Sequence, residues 1–224
     1  MKPVTQAILQ RQSTRGFLDK PVPGALVREL LEVASHAPSG GNLQPWRVHA
    51  VGGQALTDFV ALMAVKLNAG EQESAEYPVY PGGLWEPLRT RRRRAGDQRY
   101  AALGATPAQD GMAVLSARNY RFFGAPVGLF FFLDRRVGAS QWADLGMFLQ
   151  SLMLAATDHG LATCPQAAWS NWPQTVRTLC HVGDDWVLFA GMSLGYADRG
   201  EPLNGYRTER APLESFATFA GIDD

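Results

Sequence analysis

The chain has 224 residues, of which 46% are hydrophobic and 19% are charged, a composition typical of a globular domain with one large core. Lysine plus arginine equals aspartate plus glutamate at 21 each, so no overall field attracts nucleic acid or an anionic membrane surface. We therefore expect a single domain over residues 1–224 with no nucleic-acid or membrane partner. Any phosphate binding must come from local clusters.

The sequence carries no signal for export, metal binding or nucleophilic catalysis. The N-terminus lacks the charged-then-apolar pattern of a signal peptide, and the apolar runs are too short to span a membrane, so we expect a cytoplasmic protein. Only Cys164 and Cys180 are present, and neither belongs to a CxxC pair or a zinc-like cluster, so no metal ion is expected. No Gly-x-Ser-x-Gly motif occurs, which indicates chemistry without a side-chain nucleophile.

Helical and strand patterns alternate along the first half of the chain. Apolar residues recur at helical spacing from Leu26 to Ala34, and Pro38 ends that pattern. Prolines and glycines between positions 77 and 85 favour a loop there. The predicted elements are helices over 5–11, 24–37, 55–70 and 86–103, and a strand over 47–51.

The second half contains the segments expected to form the centre of the core. A helix over 142–159 is apolar on almost every face, so we expect protein to surround it. Short apolar runs at 128–133, 161–164 and 186–194 predict strands. Strands scattered among long helices predict an α+β fold in three layers. Residues 196–224 lack a core pattern and are expected to pack on another surface, such as a second subunit.

A first candidate site is the run Arg11-Gln12-Ser13-Thr14-Arg15, which follows the first predicted helix. If the chain leaves that helix extended, residues 11, 13 and 15 project to one side and present two guanidinium groups flanking a hydroxyl. Guanidinium groups make bidentate hydrogen bonds to phosphate oxygens, and a serine hydroxyl adds a donor. The alternative is a solvated helix end with two surface arginines.

A second candidate is Pro38-Ser39-Gly40-Gly41-Asn42-Leu43-Gln44-Pro45-Trp46, which leads into the first predicted strand. Two glycines let backbone amides approach a ligand, and Ser39, Asn42 and Gln44 offer donors and acceptors suited to the edge of a heteroaromatic ring. The same residue types form ordinary helix-to-strand connectors, so both interpretations stay open on chemistry alone.

Together these segments resemble the FMN-dependent nitroreductase family, and the resemblance spans essentially the whole chain. It continues into Gly160-Leu161-Ala162-Thr163-Cys164-Pro165-Gln166-Ala167-Ala168-Trp169, and ends in Gly191-Met192-Ser193-Leu194-Gly195-Tyr196-Ala197-Asp198 and Arg207-Thr208-Glu209-Arg210-Ala211-Pro212-Leu213. No single motif is specific, but four in register are. The resemblance implies a nitroreductase-like three-layer α/β/α sandwich with a mixed central sheet around a buried helix. It also implies an intertwined homodimer in which residues 196–224 pack on the partner.

For the cofactor FMN, the resemblance implies a site at the dimer interface. The phosphate and ring edge would be held by Arg11, Gln12, Ser13 and Arg15, with Arg210 closing the phosphate site. The partner subunit would contribute Pro38, Ser39, Gly40, Asn42 and Gln44. Beside the reactive N5 edge of the flavin would run Pro165, Gln166, Ala167 and Ala168.

The sequence departs from the family pattern at two of these places. Many relatives have Glu-Gly where this chain has Gln166-Ala167. A backbone amide at position 167 can still donate to N5, but a carboxylate role is put in doubt. Many relatives also carry a lysine two residues before the terminal arginine, where Thr208 stands here, and Arg207 is the alternative cation.

Residues 77–100 correspond to the loop and helix that cover the substrate in family members. Tyr80 and Trp85 are candidates to stack on an aromatic acceptor, and packing against the core is the alternative. The arginines at 89 and 91–94 predict a solvated helix face, with contact to the NADPH phosphate or an acidic substrate as the alternative.

The resemblance implies an oxidoreductase in which hydride passes from NADH or NADPH to FMN. The spent nicotinamide then leaves, and a nitroaromatic, nitrobenzoate-like or quinone acceptor takes its place in a ping-pong cycle. No catalytic side chain is required, because the cofactor supplies the redox chemistry. Reductive dehalogenation or ene reduction on the same scaffold, and flavin binding without turnover, are the alternatives.

Overall fold

A four-stranded sheet forms the middle layer of the fold. The computed structural model describes residues 2–104 and 111–222. The strands are β1 (Trp46–Gly52), β2 (Val127–Asp134), β3 (Ala162–Gln166) and β4 (Trp186–Gly195), and they lie in the order β1-β2-β4-β3. All four predicted strands are therefore present, close to their predicted bounds.

The strands pair antiparallel throughout, and not in the mixed arrangement that the resemblance implies. Within the described residues, parallel pairing is limited to an isolated bridge between Ser13 and Thr163, beside β3. A strand with both faces covered is a continuous apolar run, because each face packs on a hydrophobic layer. That pattern locates a strand but does not determine the direction of its neighbours.

Seven α-helices are present in the described residues, and none of them is long and apolar enough to cross a membrane. Five confirm predicted helices, whereas the other two correspond to no predicted element. The five are α1 (Pro3–Gln10), α2 (Gly24–Ala34), α3 (Gly53–Asn68), α4 (Leu88–Ala102) and α6 (Ala139–Asp158). The other two are α5 (Met112–Asn119) and α7 (Pro173–Cys180).

Helices cover both faces of the sheet, which confirms the predicted three layers. Side chains alternate along β2, so that Phe130 and Phe132 enter one core while Leu129 and Phe131 enter the other. The first core takes apolar residues from α3 and α7, and the second takes them from α2 and α6. These residues are Leu56, Phe59, Met63, Val176 and Cys180 in the first core, and Val27, Leu30, Leu145, Phe148 and Leu152 in the second.

Helix α6 is the long apolar helix that the sequence predicts, but its own chain buries only one face. Leu145, Phe148 and Leu152 lie on the buried face. The opposite face is also apolar, with Gly146 exposed and Met147 38% exposed. The expectation that protein surrounds this helix is therefore wrong for the single chain.

Helix α7 is short, and a distant carboxylate satisfies its N-terminus. Glu73 accepts hydrogen bonds from the backbone N–H groups of Gln174 at 2.7 Å and Thr175 at 3.0 Å. These N–H groups have no partner inside the helix, so the carboxylate acts as an N-cap. It comes from a residue 101 positions before Gln174 in the sequence. A cap of this kind cannot be read from the local sequence.

The residues after α1 are tied to residues near the other end of the chain. The side chain of Asn204 accepts a hydrogen bond from Arg15 N at 2.6 Å and donates one to Gly16 O at 2.8 Å. A Cβ at Gly16 would lie 2.3 Å from Cγ of Glu201, so a side chain there would collide. Arg118 of α5 donates to both Arg15 O at 2.8 Å and Glu201 Oε2 at 2.6 Å.

The ion pair in this network makes the fold sensitive to acid. Partial burial alone would raise the pKa of Glu201. Hydrogen bonds from Arg118 and from Leu203 N–H, together with the positive charge of Arg118, outweigh burial, so the pKa of Glu201 lies below its ordinary value. A carboxyl group whose pKa falls on folding stabilises the native state above its unfolded pKa. That contribution is lost as the pH falls through the native pKa.

Replacing Glu201 with glutamine (Glu201→Gln) keeps the shape of the side chain and removes its charge. We expect the free energy of unfolding at pH 7 to fall by about 1–3 kcal/mol, the usual effect of losing a hydrogen bond to a charged group. The difference from wild type should shrink as the pH falls below about 4.3, the ordinary pKa of glutamate. Urea denaturation at a series of pH values measures both effects.

The control for this prediction is Glu32→Gln, which alters an exposed glutamate on α2. It should leave the free energy of unfolding nearly unchanged, because exposed single substitutions have small effects. An equal loss in the two variants, or a difference that widens in acid, would contradict the role given to Glu201.

Candidate functional site

The residues from Arg11 to Arg15 leave α1 as an extended segment beside β3. The backbone N–H of Thr14 donates to Thr163 O at 2.9 Å, and Thr14 itself is buried. Arg11, Ser13 and Arg15 line one cleft, as the extended segment predicts, and Gln12 lines it as well.

This main cleft has a volume of about 500 Å³ and combines the two ends of the chain. Helix α1 and the extended segment form one wall, residues 206–210 form another, and α6 contributes one side chain. The lining residues are Ile8, Leu9, Arg11, Gln12, Ser13, Arg15, Gln150, Tyr206, Arg207, Thr208 and Arg210. Arg210 therefore joins the N-terminal arginines, as the resemblance implies.

The main cleft has an excess of positive charge. Four arginines line it, and none of the described lining residues carries a carboxylate. The pKa of Arg11 lies below its ordinary value, first because of burial and then because Arg210 and Arg207 repel its charge. An anion in the cleft would remove this repulsion.

Four side-chain donors in the described residues are buried without a hydrogen-bond partner, and one of them, the Tyr206 hydroxyl, lines this cleft. The others are Arg99 Nε of α4, Thr163 Oγ1 and Trp169 Nε1. Burial raises the pKa of Cys164 on β3, while the positive charges of Arg15, Arg99 and Arg11 oppose that rise. Buried donors are normally hydrogen-bonded, which points to a polar ligand.

Arg207 and Arg210 have different surroundings. Arg207 donates to Leu9 O at 2.6 Å and to Gln10 O at 2.7 Å, carbonyls in the last turn of α1. Its guanidinium thus donates to carbonyl groups that have no hydrogen-bond partner within the helix at its C-terminus. Among the described residues, Arg210 donates only to its neighbours, Thr208 Oγ1 at 2.8 Å and the Thr208 and Glu209 carbonyls at 3.0 Å. Arg210 can therefore turn toward a ligand more readily than Arg207.

Residues 165–168, the edge segment, continue β3 into a 3-10 turn, Ala167–Asn171. Gln166 is buried, and its side chain points into the protein, where it donates to Asn119 O at 2.7 Å and accepts from Ser193 Oγ at 2.9 Å. Ala167 is exposed at the start of the turn, where N–H groups have no partner within the turn. The edge segment can thus offer backbone amides, but not the Gln166 side chain.

Trp169 anchors the edge segment on the sheet. It is fully buried, and a Cβ at Gly191 would lie 2.2 Å from its indole ring, so a glycine at this point of β4 is required. Gly191 pairs with Gln166 across the strands. The motif over residues 160–169 and the motif over residues 191–198 are therefore direct neighbours in the fold.

The glycine loop, residues 38–44, is exposed and contributes no lining residue to the main cleft. Gly40 N donates to both carboxylate oxygens of the buried Asp144 on α6 at 3.3 Å. Asn42 and Gln44 have positive φ angles of 57° and 50°, a conformation that costs energy for residues other than glycine. The loop is thus held in an unusual shape with Pro38, Ser39, Asn42 and Gln44 facing solvent or partly exposed.

The two candidate substrate residues lie on the surface. Tyr80 is 54% exposed and Trp85 is 58% exposed, so the alternative that they pack in the core is wrong. The guanidinium of Arg92 lies 4.3 Å from the centre of the Tyr80 ring. Tyr77 is instead partly buried: its hydroxyl donates to Phe189 O, and its ring packs against Trp142.

Sequence reasoning missed Asn204, Asp144 and Tyr77. Asp144 had a detectable signal, because it is a carboxylate within an otherwise apolar helix pattern. Buried carboxylates need partners, so such a residue indicates a specific contact. Asn204 and Tyr77 lie in segments without a periodic pattern, and their contacts depend on the folded chain.

The model of the nitroreductase family matches residues 8–196 of this chain. The chain is similar to the chloronitrobenzene nitroreductase of Comamonas testosteroni, with 40% identity over 219 residues and 96% of each chain covered. It is also similar to the 4-nitrobenzoate reductase of Pseudomonas putida, with 34% identity, 96% of this chain and 95% of the relative covered.

Solved structures give the same result. An FMN and NADPH-dependent nitroreductase from Sphigopyxis sp. strain HMH has a TM-score of 0.91 and 42% identity, with 98% of this chain and 99% of that chain covered. The FMN-dependent nitroreductase of Mycobacterium smegmatis, solved with NADPH, has a TM-score of 0.92 and 34% identity, with 97% and 98% covered. Agreement in fold, sequence and length shows that this chain belongs to the nitroreductase family.

Proposed function

We propose that this chain is an FMN-dependent nitroreductase that transfers hydride from NAD(P)H to nitroaromatic compounds. The observation that carries the proposal is the main cleft, where four arginines meet beside a segment that is hydrogen-bonded to β3, the strand that leads into the edge segment. Relatives named as chloronitrobenzene and 4-nitrobenzoate reductases support the acceptor class. Structural neighbours named as FMN and NADPH-dependent support the cofactors.

The residues of the main cleft fit a phosphate-bearing flavin. Arg11, Ser13, Arg15 and Arg210 would hold the phosphate through charge-assisted hydrogen bonds, with Gln12 beside them. The unpartnered Tyr206 hydroxyl supplies a further donor in the same cleft. A phosphomonoester carries about −1.5 to −2 charges at neutral pH, which matches the excess of cations.

The edge segment would lie along the reactive edge of the flavin ring. When bound, FMN supplies the redox chemistry, accepting hydride from the nicotinamide and passing it to the nitro compound. Pro165 and Ala168 shape this edge, and the Ala167 amide is the donor that can reach it. Gln166 keeps the segment in place through its buried hydrogen bonds to Asn119 and Ser193. The nicotinamide and the acceptor need the same stacking face, so they bind in turn.

A homodimer completes this proposal. The exposed face of α6 around Met147 adjoins α1, where Val4 and Ile8 are also exposed. A third apolar surface is the C-terminal arm, residues 213–222, where Leu213, Phe216, Phe219 and Ile222 are 48–72% exposed. Exposed apolar surface of this extent indicates a protein partner. A second copy covers all three surfaces if the arms are exchanged between subunits.

The same dimer brings the glycine loop to the flavin. The loop is bonded to α6 at Asp144, and Gln150 of α6 lines the main cleft, about 9 Å further along the helix axis. If two α6 helices pack antiparallel across a two-fold axis near Met147, the Asp144 end of one lies beside the Gln150 end of the other. Ser39, Gly40 and Asn42 of one subunit then border the cleft of its partner.

Tyr80 and Trp85 would cover the acceptor. Both are exposed aromatic side chains in the segment before α4, and a ring stacked on either would bury apolar surface. An aromatic nitro compound such as 4-nitrobenzoate suits these side chains, and its carboxylate suits the basic surroundings.

Anaerobic reduction tests the function directly. NADPH or NADH should bleach the yellow FMN-loaded protein, and 4-nitrobenzoate or nitrobenzene should restore the colour. Because the nicotinamide leaves first, initial rates at several acceptor concentrations should give parallel double-reciprocal lines. A yellow protein that no nicotinamide bleaches would contradict turnover, and a protein that binds no FMN would contradict the flavin site.

The variant Arg11→Ala tests the phosphate contacts. We expect the dissociation constant for FMN to rise about tenfold to a hundredfold, because charge-assisted hydrogen bonds to the phosphate are lost. Titration of the apoprotein with FMN, followed by flavin fluorescence, measures it. Arg28→Ala on α2, which removes an exposed arginine outside the main cleft, is the matched control. Equal affinities for the two variants would show that Arg11 does not contact the phosphate.

The variant Met147→Glu tests the dimer. A glutamate at the centre of the α6 face would be buried without a partner, so we expect monomers in sedimentation experiments. FMN affinity should fall in parallel, because each cleft loses the partner's glycine loop. Val65→Glu changes an exposed apolar residue on α3 and should remain dimeric with normal FMN affinity. A monomeric Met147→Glu protein with unchanged FMN affinity would mean that one chain forms the whole site.

A further inference from the structure

A second cleft, the side cleft, lies next to the main cleft and has a volume of about 400 Å³. One face of α4 forms one wall, and residues 208–212 form the other. The lining residues are Arg91, Arg94, Ala95, Gln98, Thr208, Glu209, Arg210, Ala211 and Pro212. Thr208 and Arg210 line both clefts, so the two clefts adjoin.

The arginines of α4 are not one uniform solvated face. Arg89 donates to Leu84 O at 2.7 Å, and Arg92 lies over the Tyr80 ring. Arg91 and Arg94 instead line the side cleft with Gln98, at the i, i+3 and i+7 spacing of one helix face. Arg93 is exposed and does not line the side cleft.

The charges in the side cleft do not balance. Arg91 and Arg94 bring two guanidinium groups besides Arg210, which is assigned to the flavin phosphate, whereas Glu209 is the one carboxylate among the described lining residues. Glu209 lies 3.6 Å from Arg94, and both side chains are about two-thirds exposed, at 68% and 65%. An exposed pair of this kind is weak, so it neutralises little of the positive charge. Gln98 and Thr208 add neutral hydrogen-bonding groups.

We propose that the side cleft binds the 2′-phosphate of NADPH, through Arg91, Arg94 and the adjacent polar residues. This inference rests on the proposed function. It requires that the nicotinamide ring of NADPH lies on the flavin while the adenosine end extends past the main cleft to the side cleft. The 2′-phosphate is the one group that distinguishes NADPH from NADH, and arginine is the side chain that accommodates it in other dinucleotide sites. The side cleft would therefore set the nucleotide preference.

An acidic aromatic substrate fits the side cleft less well. Its described lining contains no aromatic side chain on which a ring could stack. The flavin phosphate already has Arg11 and Arg15 in the main cleft, with Arg210 at the boundary between the clefts. A phosphate with nearly two charges and three acceptor oxygens matches several guanidinium groups better than a carboxylate with one charge and two oxygens.

The test combines nucleotide binding and kinetics in the FMN-loaded protein. Arg91→Ala should weaken binding of adenosine 2′,5′-bisphosphate about tenfold in calorimetric titrations, with a smaller effect on adenosine 5′-monophosphate. The ratio of kcat/KM for NADPH to that for NADH should fall by a similar factor. Arg91→Glu should lower both further, and Arg93→Ala, the control on the same helix, should behave as wild type.

The outcomes separate this proposal from the proposed function. If NADH bleaches the flavin but Arg91→Ala and Arg91→Glu keep the wild-type ratio and bisphosphate affinity, the side cleft does not bind the 2′-phosphate. If these variants instead raise the KM for 4-nitrobenzoate and leave nucleotide binding unchanged, the site binds a substrate carboxylate and the proposal is wrong. If neither nicotinamide bleaches wild type, the proposed function itself fails.

Discussion

The hydrogen bond from Thr14 N–H to the Thr163 carbonyl holds the extended segment against the sheet, and the main cleft depends on this contact. It determines which side chains of the segment face the protein and which face the cleft. A single backbone hydrogen bond contributes only about 0.5–1.5 kcal/mol net. The contacts of Asn204 and Glu201 on the opposite side of the segment therefore matter, because the arginines gathered in the cleft repel one another.

That repulsion connects folding with ligand binding. A cleft that holds like charges together is less stable alone than with an anion bound, so a ligand phosphate adds its binding free energy to the stability of the fold. The exposed apolar faces of α6 and of the C-terminal arm are a second incomplete feature of the single chain. Phosphate binding and pairing of subunits would resolve both features at the same place, because Ile8, Leu9 and Gln150 line the cleft beside the apolar surface.

The sequence was most informative where a local pattern had one structural solution. Periodicity predicts the bounds of the strands and of five helices, and it predicts that Arg11, Ser13 and Arg15 face the same side. The family resemblance predicts that Arg210 lies near these residues. The direction of the strands did not, because continuous apolar runs suit either arrangement. Helices α5 and α7 were missed because eight residues hold about two turns, and α7 begins at a cap supplied by Glu73.

Individual side chains were harder to predict than segments. Gln166 belongs to the motif at the predicted reactive edge, yet its amide turns inward to Asn119 and Ser193. The exposed Tyr80 and Trp85 and the partly buried Tyr77 lie in one irregular segment whose composition does not tell them apart. The hydrogen-bond partners of Gln166 and Tyr77 are distant in sequence.

A mixed dimer tests most directly the proposal that each flavin site is built from two chains. One chain carries Arg11→Ala and Arg210→Ala, and the other carries Ser39→Ala and Asn42→Ala, with different affinity tags so that the mixed dimer can be purified. In either parent dimer both sites are damaged, whereas the mixed dimer has one intact site and one site with all the substitutions. The account predicts that FMN titration finds tight binding at about one site per mixed dimer and at neither site of the parents. Mixed dimers that bind FMN no more tightly than the parents would contradict it.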